Sequence, residues 1–267
     1  MQRQTPHGGS AWHYFLLVTL LSIPFWLVGP IAERVLRWEI PVNLPISALQ
    51  AISPLLAALI LVGREKGWAG MRELLASIGD VERIKHPRWL IPVFTLMPLI
   101  YLLAFFLMQL TGASLPTNPQ FPITFLPVSF LLFFVAAACE EVGWSGYALE
   151  RMPRRLSALA AALIVGVLWA LLHIIPDVQA GHTFSWIAWQ RLYSILLRVL
   201  LVWIYLNTSS LFAAIVFHAL DNTSFSMFPN YGSHYDPFYI CLITAIVVVG
   251  VVAVWGPATL ARNRFAT

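Results

Sequence analysis

Apolar runs of about 18 residues or more recur along the whole of this 267-residue chain, and each is long enough to cross the roughly 30 Å hydrocarbon layer of a bilayer as a helix. Hydrophobic residues make up 59 % of the chain and charged residues 10 %, where a soluble domain carries about 25 % charged residues. This composition excludes an aqueous globular domain, a disordered or collagen-like chain, a disulfide scaffold and a nucleic-acid binder. Cys139 and Cys241 both fall within apolar runs, so there is neither a disulfide framework nor a CxxC zinc site. The expected fold class is all-α, a polytopic membrane protein formed by a single integral membrane domain over residues 1–267.

Eight helices are predicted: Trp12 to Gly29, Leu44 to Gly63, Trp89 to Thr111, Thr124 to Ala148, Leu156 to Ile175, Phe184 to Leu206, Leu211 to Met227 and Pro237 to Gly256. An even number puts both termini on one side. That side then holds Arg3, Arg64, Lys66, Arg72, Arg83, Lys85, Arg88, Arg151, Arg154, Arg155, Arg262 and Arg264, while the opposite loops hold only Arg34 and Arg37. The positive-inside rule makes the richer side, with both termini, cytoplasmic. The expected location is the plasma membrane of a prokaryote, with the first helix retained rather than cleaved as a signal peptide. Residues 64–88 form the longest polar connection, and Trp68, Met71, Leu74, Leu75 and Ile78 recur there at helical spacing. They predict an amphipathic helix on the cytoplasmic surface.

A charge at mid-bilayer costs at least ~2.5–3.5 kcal/mol on insertion scales, so such groups face a bundle interior or a water-filled cavity and are functional candidates. Here they are Glu140 and Glu141 in the fourth run, His173 in the fifth, Arg191 and Arg198 in the sixth, and His218, Asp221 and Asn222 in the seventh. At 1.5 Å per residue, Glu140 lies about 16 Å, His218 about 12 Å and His173 about 22 Å from the basic side, within roughly 10 Å of one level. Neighbouring helices would let them converge. Glu140 and Glu141 sit about 100° apart on a helix, so one is free to face a cavity while the other pairs with an arginine of the sixth helix. His218 and Asn222, at i and i+4, share a face.

Three stretches carry a resemblance: Glu140-Glu141 in ACEEVGWSGYAL, Trp169-xxx-His173 in LWALLH, and His218-xxx-Asn222 in FHALDN. In this order they resemble the motifs of the CAAX-processing and bacteriocin-processing intramembrane proteases, relatives of the type II CAAX prenyl endopeptidase, or Ras-converting enzyme. The resemblance covers about half of the chain, and the family's eight-helix architecture agrees with the predicted count. The family pattern is EExxxR, FxxxH and HxxxN or HxxxD. Trp169 replaces its Phe, and Ser145 stands where its arginine is expected, which leaves Arg198 or Arg191 to supply that charge.

The resemblance implies an intramembrane endopeptidase. Glu140 and His173 would position and deprotonate a water, and His218 and Asn222 would polarise the scissile carbonyl, with Glu141 and Arg198 in support. It leaves open whether the enzyme is glutamate- or metal-dependent, a zinc held by Glu140, His173 and His218 being the metal version. The implied partners are a peptide or prenylated-protein substrate and membrane lipid. Two other readings stand beside it. Gly143-Trp144-Ser145-Gly146 matches the GxSG serine motif of rhomboid proteases, with His173 or His218 as base. A non-catalytic scaffold, a bacteriocin-immunity protein of the same fold, or a proton-relaying carrier would also bury such groups.

Overall fold

A computed structural model describes residues 11–31, 46–153 and 155–261. Arg3, Arg34, Arg37, Arg154, Arg262 and Arg264 of the charge argument, and the expected start of the second span at Leu44, lie outside them. The described residues contain no strand and form α1 (Ala11–Ile31), α2 (Ser53–Ala76), α3 (Leu90–Leu110), α4 (Leu126–Gly143), α5 (Ala158–Leu172), α6 (Ile174–Gln179), α7 (Phe184–Thr208), α8 (Leu211–Met227) and α9 (Pro237–Trp255). Among them, seven segments are long and apolar enough to cross a membrane. Their outer faces carry large apolar side chains such as Leu131 and Val249, 64 % and 69 % exposed, a surface stable in lipid rather than in water.

The seventh predicted helix, α8, differs from the others. It has 17 residues, and His218, Asp221 and Asn222 lower its apolarity. It can be short because it meets protein instead of lipid, packing against α4, α3 and α7. The core therefore centres on α7 and α8, with α5 and α9 against α7, α2 against α4, and α1 against α2 and the 46–52 turn. Local chemistry sets the ends: Ser157, Thr183, Ser210 and Asp236 cap α5, α7, α8 and α9 through their side-chain oxygens.

The second span runs four residues past Gly63 to a kink at Gly67, and a second helical stretch follows the kink to Ala76. The φ of 62° at Gly67 is open to glycine and costly for other residues. Beyond the break Trp68 is exposed, while Met71 and Leu74 pack on the main core and Ile78 on a smaller cluster with Ile215 and Ala219. The apolar face of this connection is thus docked on the bundle. At its end Asp80 is buried, and its carboxylate accepts from Ser210 Oγ at 2.8 Å and from the backbone N–H groups of Leu211 (3.2 Å) and Phe212 (3.0 Å). A carboxylate at a helix N-terminus satisfies orphan donors and the positive end of the helix dipole. Asp80 thereby anchors the helix that carries His218.

Candidate active site

Helix α4 delivers the two glutamates at its last full turn and then widens into a π turn over Trp144–Ala148. Such a turn inserts an extra residue into the helical ladder and is frequent at functional sites. The approach is tight: a Cβ on Gly143 would collide with the Tyr14 hydroxyl and lie 2.5 Å from the Pro54 carbonyl oxygen. Glycine at this position lets α1 and α2 close directly over the glutamates.

The adjacent glutamates diverge into different partners. Glu141, with no exposed surface, receives Arg198 Nη1 at 2.7 Å and Ser145 Oγ at 2.5 Å on Oε2, and meets His218 Nδ1 at 2.9 Å through Oε1. Glu140 accepts from the Trp169 indole N–H on Oε2 at 2.5 Å. Trp169 is the junction of the site. Its ring lies edge-on to His173 (centroids 5.2 Å apart) and to His218 (5.4 Å), and the Arg198 guanidinium sits 4.5 Å from its centre.

His173 occupies the break between α5 and α6, its Nδ1 2.8 Å from the Trp169 carbonyl. The break has a covalent cause. Pro176 has no N–H to return to Leu172 O, four residues earlier, and Gln50 Nε2 fills that acceptor at 3.0 Å. Trp26 Nε1 in turn donates to Gln50 Oε1 at 2.5 Å, so α1 and the 46–52 turn hold the segment that presents His173.

Of the two arginines expected near the glutamates, only Arg198 pairs with one. Arg191 pairs instead with Asp177 of α6, Nε to Oδ2 at 3.0 Å. Asp221 turns away from the glutamates and accepts from Tyr101 Oη of α3 (3.1 Å) and from Tyr193 Oη of α7. Asn222 is half-buried one turn from His218, and its amide has no hydrogen bond among the described residues. Ser145 donates to Glu141, and no imidazole hydrogen-bonds to it, which removes the geometry a serine–histidine dyad needs.

Bond directions fix the roles of the ring nitrogens. A backbone carbonyl and an ionised carboxylate only accept. His173 therefore donates from Nδ1 and keeps an acceptor lone pair on Nε2, and His218 donates from Nδ1 to Glu141. Glu140 Oε1, both Nε2 atoms and the Asn222 amide are left without protein hydrogen-bond partners among the described residues.

A zinc ion at this centre would have to take its ligands from these donors. Both imidazoles retain a free Nε2 and an oriented Nδ1, as metal ligands do, but no group of three His, Cys, Asp or Glu side chains among the described residues is spaced to hold a metal ion. The Glu140, His173 and His218 side chains as placed do not form a three-ligand zinc site.

Fold and centre together define a polytopic membrane protein with a carboxylate–imidazole centre enclosed by α4, α5, α7 and α8. Residues 122–224 match the family model described as type II CAAX prenyl endopeptidase Rce1-like, and this region contains all three motifs. Over 224 residues, covering 78 % of this chain and 81 % of the relative, the chain is 26 % identical to a protein named CAAX prenyl protease 2 from Methanococcus maripaludis. The resemblance read from the motifs is borne out, and these matches support an intramembrane endopeptidase.

Trp169 and Gln50 take structural roles that the motifs do not announce. Trp169 was visible only as an aromatic exchange. Its indole donor, which phenylalanine lacks, was the available signal. Gln50 had no signal at all, because its partner lies 122 residues away.

Proposed function

We propose that this protein hydrolyses a peptide bond of a prenylated CAAX-type substrate within the membrane, using a water activated by Glu140 and His173. One observation carries the reading: Glu140, His173 and His218 are each fixed through one side-chain atom, and these three, together with Asn222, leave a polar atom free for substrate or water. The water would donate one hydrogen bond to Glu140 Oε1 and the other to the lone pair of His173 Nε2. As its oxygen bonds to the scissile carbonyl carbon, Glu140 takes the proton. His218, in its imidazolium form, and the Asn222 amide donate to the oxyanion that develops on the carbonyl oxygen. Collapse of the intermediate breaks the C–N bond, and Glu140 returns the proton to the leaving amine. Glu141 and Arg198 hold His218 in the orientation this requires. No step passes through a metal ion. The basic end of the bundle is assigned to the cytoplasm of a prokaryotic cell.

The test is cleavage of a fluorogenic prenylated CAAX peptide by the full chain in lipid, with and without a chelator. Wild type is expected to cleave at an unchanged rate after chelation. Loss of turnover restored by added zinc would overturn the metal-free mechanism, and no cleavage of this peptide would overturn the substrate assignment.

Trp169 gives a second prediction. Trp169→Phe retains an aromatic ring but removes the donor to Glu140, and a hydrogen bond to a charged group contributes ~1.5–3 kcal/mol. Turnover is expected to fall about tenfold or more, with KM little changed because the lost bond orients the base rather than the substrate. Unchanged kcat in this variant would remove Trp169 from the positioning of Glu140.

A further inference from the structure

Beneath the catalytic centre, where α2, the 77–89 connection and the α7–α8 turn meet, lies a cavity of about 950 Å³ that none of Glu140, His173, His218 and Asn222 lines. Its wall carries five cations, Lys66, Arg83, Lys85, Arg88 and Arg151, against the three carboxylates of Glu73, Asp80 and Glu150. Part of this charge is already paired. Asp80 caps α8 and lies 3.6 Å from Arg83, and Arg151 pairs with Glu65 at 2.7 Å. Lys66, Lys85 and Arg88 have no ion-pair partner among the described residues.

The cavity also reaches the membrane side of the bundle. Trp89, Trp203 and Trp255 line it and form a cluster, with Trp203 centred 5.1 Å from Trp89 and 5.2 Å from Trp255. Pro92, Trp203 and Trp255 also line a second, apolar groove of about 410 Å³ between α3 and α9. The groove runs past Leu99 and Val247 along the bundle's exterior, and its margins at Ile91 and Val254 are exposed. Gly250 lies in it, and a Cβ there would meet nothing within 4 Å.

A cation-rich chamber, an aromatic collar of the kind that sits at headgroup depth, and an apolar furrow continuing from both match the parts of one amphiphile. We infer that this composite site binds an anionic phospholipid of the leaflet at the basic end. Lys66, Lys85 and Arg88 surround its phosphate, and an acyl chain lies in the α3–α9 groove. A free phosphate would leave the groove without a role. A substrate held here would not be presented to Glu140, because no catalytic candidate lines either space.

The full chain, purified in neutral detergent, is titrated with phosphatidylglycerol and with phosphatidylcholine and followed by native mass spectrometry. One phosphatidylglycerol per chain is expected, bound at least about tenfold more tightly than phosphatidylcholine. The double variant Lys85→Gln/Arg88→Gln is expected to erase that preference. Gly250→Phe, which fills the groove without a steric clash at Cβ, is expected to weaken both lipids while leaving the melting temperature of the lipid-free protein unchanged. Equal binding of the two lipids, or a preference that survives the double variant, would overturn the inference. Displacement of the lipid by inorganic phosphate would instead indicate a free-anion site, and displacement by a prenylated CAAX peptide a substrate site; either would also overturn it.

Discussion

Glu140→Gln is expected to reduce cleavage of a prenylated CAAX peptide by about 10²–10⁴-fold, the range that a positioned general acid–base group contributes. Glutamine has nearly the same shape and retains a carbonyl oxygen, so it can still accept from Trp169 Nε1, the bond that fixes Glu140 now at 2.5 Å. It cannot take a proton from water. Melting temperature and peptide binding should therefore persist while turnover disappears, a separation measurable by pairing single-turnover kinetics with a binding titration. A variant that cleaved at the wild-type rate would remove Glu140 from the chemistry. The same comparison addresses the non-catalytic scaffold and immunity readings, because a protein without chemistry at this carboxylate would lose nothing when it is neutralised.

Arg198→Ala is the second large effect. It leaves Glu141 as a buried carboxylate with its remaining bonds to Ser145 and His218, and breaking a buried ion pair from one side typically costs 3–5 kcal/mol. It also removes the cation from the Trp169 ring. Both stability and turnover are expected to fall, the latter because Glu141 orients His218. The family motif places its arginine at the position of Ser145, four residues after Glu141 and 2.5 Å from it through Oγ. Hence Arg198→Ala combined with Ser145→Arg returns a guanidinium to the same carboxylate oxygen and uses the volume just vacated. This pair is expected to recover part of the lost activity. Arg198→Lys is expected to fall between, since an ammonium keeps the charge but lacks the planar face that lies on Trp169. Full activity in Arg198→Ala would show that the charge at Glu141 is dispensable.

These two predictions rest on features that differed in how far they could be read from the sequence. The divergence of Glu140 and Glu141 follows from 3.6 residues per turn, and the motif order marked His173, His218 and Asn222 before any packing was known. Which arginine would serve Glu141 was not legible. Arg191 and Arg198 lie in the same apolar run, and the choice depends on α6, a six-residue helix that presents Asp177 to Arg191. The break that creates α6 depends on Pro176, which is visible, and on Gln50 supplying the missing donor, which is not.

The sequence by itself determined the all-helical membrane class, because the length and apolarity of each run are local properties and lipid penalises any backbone group left unpaired. It also determined the identity of the catalytic candidates, because burying a charge in such a run has a cost that structure must offset. Only the tertiary structure decided the partners. Glu140 with Trp169, Glu141 with Arg198 and His218, and Asp80 beneath α8 join residues 29, 57, 77 and about 130 positions apart. Hydrogen bonds of a few ångströms across that separation depend on how helices pack, and no local spacing in the chain encodes it.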